Sequence, residues 1–243
     1  VTENRPVLVA AAVVPHPPLL VPEVAAGAAA ELDGLRAACD RAVQSLLAAR
    51  PDRVVVVSSA PATGPLPASA RADLGAYGLP LVLGGGPGPE RLPLGAVIAT
   101  WLLDRAGWAG ERKLLGVAPD EPAAVCRELG RRAVGAGRVA LLCAGDGSAS
   151  RGASSPRRPD PRAVSFDDDV AHALGAADTG VLLAIEPELA DSVSAAGRAA
   201  WQVLAGAAEG AAYESDLLVS TAPYGVAYHV ATWALEIGEA AFA

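Results

Sequence analysis

Methionine is absent from the 243 residues, lysine occurs once (Lys113), and ten residues are aromatic: four Trp, four Tyr and two Phe. Hydrophobic residues make up 52% of the chain, enough for a substantial core, which must be built from Ala, Val and Leu rather than from rings. Basic residues are scarce: 19 Lys and Arg stand against 27 Asp and Glu, a formal charge of −8. No basic stripe interleaved with aromatics occurs, so nucleic acid is not an expected partner. Apolar runs stay short of the roughly 18 residues a membrane span needs, so no membrane partner is expected either. The 26 Gly and 20 Pro are numerous, but the apolar fraction excludes a disordered low-complexity chain. A soluble, acidic, globular protein is expected.

Three cysteines, Cys39, Cys126 and Cys143, are odd in number and lack ligand spacing, which argues against a disulfide framework and a zinc site. Each falls in a helix-like or strand-like stretch and reads as a small buried hydrophobe. Asn4-Arg5 followed by Val7–Val14 faintly imitates a signal peptide. The run is short and passes into Pro15-His16-Pro17-Pro18 without a small-residue cleavage pattern. It therefore reads as a strand, and the expected compartment is the cytoplasm.

Strand-length apolar runs alternate with helix-period segments. Strands are expected at Val7–Val14, Arg53–Val57, Leu79–Leu83, Leu114–Val117, Arg138–Ala144 and Leu217–Ser220. Helices are expected over Ala28–Ala49, Leu94–Arg105, Glu121–Val134 and Ala195–Ala208, with Val226–Leu235 open between strand and helix. Ala149–Val164 reads as a long loop, followed by a helix with Ser165 as N-cap and Asp167, Asp168 and Asp169 in its first turn. Runs rich in β-branched residues and Leu, apolar on both faces, fit a parallel sheet covered by crossover helices. The expected fold class is α/β: a single domain, 1–243, with a central mostly parallel sheet flanked by helices on both faces.

Ligands of such sheets bind beyond the carboxyl ends of the strands. Three features fall there. Pro15-His16-Pro17-Pro18 restrains a histidine between prolines, which suits a ligand or acid/base role, or else a rigid turn. Gly145-Asp146-Gly147-Ser148 offers a charge and a hydroxyl on a permissive backbone, or simply a turn. Pro223-Tyr224-Gly225 through Tyr228-His229 brings a phenol and an imidazole, or buried aromatics at a turn. Gly84-Gly85-Gly86-Pro87-Gly88-Pro89 lacks the ending of a phosphate loop. Asp168 and His172 share a helix face at a metal-compatible spacing, but more simply are a helix-start acid and an exposed His. Ser58 and Ser59 end a strand without a nucleophile-elbow context.

In this order, Pro15-His16-Pro17-Pro18, Gly145-Asp146-Gly147-Ser148 with Phe166-Asp167, and Ala222-Pro223-Tyr224-Gly225-Val226-Ala227-Tyr228 resemble class III extradiol ring-cleavage dioxygenases, whose fold the Memo-like proteins share. The resemblance spans nearly the whole chain. It implies Fe(II)- and O2-dependent opening of catechol-type rings, with iron held by two histidines and a carboxylate and a further histidine as acid/base. His16 matches the first metal ligand. The second is expected just after Val54–Val57, where Ser58, Ser59, Ala60 and Pro61 stand. The acid/base position is Ala149, and the last ligand position lies near Gly197 or Arg198, with Glu186, Glu188 and Asp191 upstream. A rearranged ligand set would have to draw on His172, His229, Asp146 or Glu214.

Three functions are compatible with these residues. The first is an iron-dependent oxidoreductase. The second is a non-catalytic descendant binding a small molecule or protein in a pocket of His16, Ser58, Ser59, Asp146, Ser148 and Tyr228. The third is a metal-free hydrolase or transferase pairing His16 with Ser58 or Ser59. Beyond a small-molecule ligand, a homo-oligomer is the remaining partner expectation.

Overall fold

A computed structural model describes residues 7–236. The strands are β1 (Val7–Val14), β2 (Arg53–Ser59), β3 (Gly64–Pro65), β4 (Arg71–Asp73), β5 (Val82–Gly85), β6 (Glu111–Val117), β7 (Arg138–Ala144), β8 (Tyr213–Thr221) and β9 (Tyr228–Leu235). The helices are α1 (Pro22–Ala25), α2 (Asp33–Ala48), α3 (Leu94–Arg105), α4 (Ala123–Ala133), α5 (Ala163–Gly175), α6 (Thr179–Leu183), α7 (Pro187–Ser192) and α8 (Arg198–Ala208).

Seven strands form one sheet in the order β3-β6-β2-β7-β1-β9-β8. The central four, β6, β2, β7 and β1, run parallel, while β9, β8 and the short β3 are antiparallel. Parallel strands need crossovers, and α2, α3 and α4 supply them in turn. The strand cores are buried on both faces, which is why VLVAAAVV, RVVVVSS and RVALLCA carry apolar runs instead of alternation. One face, with Val54, Val56, Ala140 and Leu142, packs on α2 and α3. The other, with Val55, Val57, Leu141 and Cys143, packs on α5 and α8. All eleven residues of α8 are buried, and its two polar side chains, Arg198 and Gln202, hydrogen-bond to each other inside.

Two glycines set how closely α4 and α8 cross. A side chain at Gly130 would collide with the Val203 carbonyl oxygen, and one at Gly206 with that of Arg127. This small-residue contact lets a core poor in rings reach close packing by bringing backbones together.

Three expectations are corrected. Leu79–Leu83 does not join the main sheet: β5 covers Val82–Gly85 and pairs only with β4 in a separate two-stranded sheet. Val82 is 59% exposed, so this run lacks the two-sided burial of a central strand. The helix after the long loop begins at Ala163, not after Ser165, because Asp160 accepts from the Arg162 N–H at 2.8 Å and starts the turn earlier. Most of Ala26–Leu32 is a 3-10 segment ahead of α2 rather than part of one long helix. The open segment Val226–Leu235 is settled as β9, buried between β1 and β8.

Gly206→Ala should cost about 3 kcal/mol in urea unfolding, the upper range for overpacking, since backbone must move. Gly27→Ala, where a side chain meets open space, should stay within about 0.5 kcal/mol of the parent.

Candidate functional site

The ends of three parallel strands are level: Val14 pairs with Ala144, and Ala144 with Ser58. Beyond Val14 the prolines hold the chain extended, with Pro17 at φ −63° and ψ 139° leading into the turn Pro18–Leu20. Beyond Ala144, the Gly145 N–H donates to the Val14 carbonyl at 3.0 Å, which lays the two exits side by side. The His16 N–H then donates to Asp146 Oδ1 at 2.7 Å. Nδ1 of His16 lies 3.3 Å from the same oxygen, but off the line of a hydrogen bond. Both side chains are nearly closed off, 13% and 17% exposed. Burial pushes the Asp146 carboxyl up, with His16, its N–H and His229 pulling the other way. Tyr228 is buried nearby, its phenol pushed up by burial and then by Asp146 and Tyr224. Tyr224 takes a left-handed conformation at φ 62° and donates its hydroxyl to Glu31 Oε2 at 2.5 Å. That bond ties the loop before β9 to the segment after β1.

Ser148 turns away from His16. Its N–H and Oγ both donate to Asp167, to Oδ1 at 2.8 Å and Oδ2 at 2.6 Å. Asp167 and His229 are fully buried, with His229 Nε2 3.9 Å from Asp167 Oδ1 and Nδ1 3.1 Å from Ser220 Oγ. Arg151 approaches Asp167 Oδ2 at 3.7 Å. Gly147 makes room for the cluster: a side chain there would stand 2.7 Å from Asp167 Oδ1 and 2.9 Å from His229 Nε2. The expectation that Asp167 serves the exposed first turn of α5 is therefore corrected. Asp167 is an interior acceptor, and the acids left in solvent are Asp168 and Asp169. His172 is exposed, as expected of an unengaged residue. The motif Phe166-Asp167 carried the signal for the buried cluster, but local helix logic explains an acid near a helix start equally well and hides it.

Among the described residues no hydrogen bond or ion pair links Ser58 or Ser59 to His16, whose one such partner is Asp146. Ser58 is fully buried under α3, where a side chain at Gly95 would meet its Cβ at 2.7 Å, and its Oγ has no partner among the described residues. Ser59 is half-buried opposite Val117. Ala149 donates its N–H to the Val193 carbonyl. Gly197 is pressed between Gly145 and the Trp201 ring, and donates its N–H to the Asp146 carbonyl at 2.8 Å. The buried Arg198 donates to Gln202 Oε1 at 2.6 Å and to the carbonyls of Pro119 and Glu121 at 2.7 Å. Glu214 pairs with Ala234, which pairs with Ala10, so it lies level with the middle of β1, two strands away and well back from His16. No group of three or more His, Cys, Asp or Glu side chains among the described residues is placed to hold a metal ion. The donor set does not fit the ferrous site that the resemblance implies.

Two substitutions probe this region. Asp167→Ala strands two donors of Ser148 in the interior and should cost about 3–5 kcal/mol in denaturant unfolding. For Asp146 the native carboxyl titrates above its unfolded value of about 3.9. As pH rises from there through the native value, the native state keeps a proton that the unfolded state has lost, so this group's contribution to stability falls. Asp146→Asn lacks that loss, and its stability relative to the parent should grow across the same window in pH-dependent unfolding.

No family model and no curated protein sequence matches the chain. Solved structures do match in shape. The uncharacterized protein JW3007 from Escherichia coli K12, a crystal structure, superimposes at a TM-score of 0.55 with 19% identity, covering 93% of this chain and 99% of that one. What the two share is the fold, a helix-flanked, mostly parallel sheet, and a fold carries no chemistry by itself.

Proposed function

We propose that this chain is an extradiol-dioxygenase-like protein that assembles no iron centre and instead binds a small hydroxylated aromatic molecule in the His16 crevice. The observation that carries this reading is the environment of His16. Its Nδ1 faces Asp146 at 3.3 Å, while the positions expected to supply the second and last ligands hold Ser58 and Gly197, and the acid/base position holds Ala149. A single imidazole beside one carboxylate is too small a donor set to retain Fe(II). The same pair, with Tyr228 behind it, offers a donor and acceptors to a phenolic hydroxyl. Ser58 gives no support to a hydrolase reading, since its buried hydroxyl has no hydrogen-bond partner among the described residues. The thiols of Cys39, Cys126 and Cys143 are free and buried, and burial raises all three. They suit a reducing compartment, and we place the chain in the cytoplasm. No helix among the described residues is long and apolar enough to cross a membrane.

Protein prepared anaerobically with Fe(II) should carry iron far below one atom per chain by elemental analysis. Metal-free protein should bind catechol saturably in calorimetry, and His16→Ala should weaken that binding about tenfold or more. One iron per chain that disappears in His16→Ala would overturn the metal-free reading. Absence of catechol binding would overturn the ligand.

A further inference from the structure

The crevice proposed above to take a phenolic ligand is nearly closed. The side chains of His16 and Asp146 are 13% and 17% exposed, and Tyr228 is buried. Small ligands bury most of their own surface when bound. A ring seated on these three groups therefore needs part of the wall to move aside.

The loop before β9 is the firmer wall. Three backbone hydrogen bonds fix it to the loop after β7: the Gly147 N–H donates to the Ala227 carbonyl at 2.8 Å, the Ala227 N–H to that of Ser148 at 2.8 Å, and the Arg151 N–H to that of Gly225 at 3.2 Å. The other wall is the chain between β1 and α2, which follows directly on His16. Its ends are anchored. Arg36 Nε donates to the Leu20 carbonyl at 2.8 Å, and Leu20, Val21 and Leu32 are buried in the same cluster as Tyr228. Between these anchors, none of residues 26–31 is buried. They are four Ala, one Gly and Glu31, with little apolar area to hold the stretch down. Two hydrogen bonds from side chains elsewhere reach it among the described residues: Arg36 Nη2 to the Ala29 carbonyl at 3.3 Å, and the Tyr224 hydroxyl to Glu31 Oε2 at 2.5 Å.

The Tyr224–Glu31 bond has the properties of a latch. Tyr224 is 40% exposed and Glu31 is exposed, so water competes for both groups and the bond can open without dismantling the core. Burial first, then Asp146 and Tyr224, raise the Tyr228 phenol, so the latch residue and the crevice carboxyl flank one ring. Tyr224 at φ 62° and Ala26 at φ 47° are both left-handed, a conformation that is costly outside glycine and recurs in switch segments. We infer that residues 26–31 form a gate over the His16 crevice, latched by the Tyr224–Glu31 hydrogen bond, and that a small phenolic ligand enters and leaves while the latch is open. The latch closes again over the bound ligand. The gate rests on the reading of the crevice as a ligand site.

Amide hydrogen exchange in the ¹⁵N-labelled full chain reads the gate without ligand, because the His16 N–H donates to Asp146 inside the crevice. Tyr224→Phe should speed exchange at His16 and at residues 26–31 about tenfold, while Leu142 at the centre of the sheet keeps its rate. Glu31→Ala should do the same, and the double variant should add nothing further. In stopped flow, Tyr224→Phe should raise the association and dissociation rates of catechol together, about tenfold each, and leave its Kd unchanged. Unchanged exchange at His16 overturns the gate, and so does equal acceleration at Leu142, which would be global unfolding. A loss of affinity through faster dissociation alone also overturns it, since Tyr224 would then be a ligand contact. If catechol does not bind the parent, the ligand reading fails, and exchange at His16 still decides whether the gate exists.

Discussion

The fully buried carboxylate of Asp167 holds the functional end of this molecule together. It accepts from the backbone and hydroxyl of Ser148, lies beside His229 and is approached by Arg151. Those residues belong to the loop after β7, to β9 and to the long loop leading into α5, while Asp167 itself is on α5. The loop after β7 and the loop into α5 are one connection, so this interior charge joins that loop, α5 and the distant β9. A buried carboxylate is tolerated only when its lone pairs are occupied. The Gly145–Ser148 stretch must therefore follow one path, because any other would leave Asp167 or Ser148 unsatisfied. That path carries Asp146 to the His16 N–H. The placement of Asp146 against His16 is, in this sense, a consequence of satisfying Asp167.

The same tightness explains why the crevice does not hold the iron ligands that the resemblance implies. At Gly197 the backbone lies against Gly145 and the Trp201 ring, so no side chain of any kind fits there without displacement. Arg198 is turned to the opposite side, its guanidinium occupied by three neutral acceptors. Ser58 is covered by α3 at Gly95. The departures from a metal site are built into packing as well as into residue identity. Restoring a histidine at Ser58 would drive it against α3 at Gly95, and a carboxylate at Gly197 would displace the buried Trp201 ring.

The sheet was legible in the sequence wherever burial on both faces produces an unbroken apolar run, as in β1, β2 and β7. Edge elements were not. The expected strand at Leu114–Val117 extends back to Glu111, because β6 is covered on its outer side only by two residues of β3 and so tolerates Glu111-Arg112-Lys113. β8 begins at Tyr213 with alternating half-buried and exposed residues, as an edge strand with one wet side does. At the site, His16 and Asp146 were readable because prolines and glycines constrain them locally. The burial of Asp167 and His229 was not, because it follows from long-range pairing that no spacing rule encodes.

A composition so poor in aromatic rings has a structural consequence. With few rings to fill space, Gly130 and Gly206 let α4 and α8 touch backbone to backbone, and Gly145 does the same against Gly197. Close packing of this kind leaves little free volume inside, so concave space is displaced to the margins, where excursions such as β4–β5 leave the sheet. Trp108, one of four tryptophans, is half-buried at such a margin, and Gly110 leaves room for its ring: a side chain there would stand 2.3 Å from Cζ2.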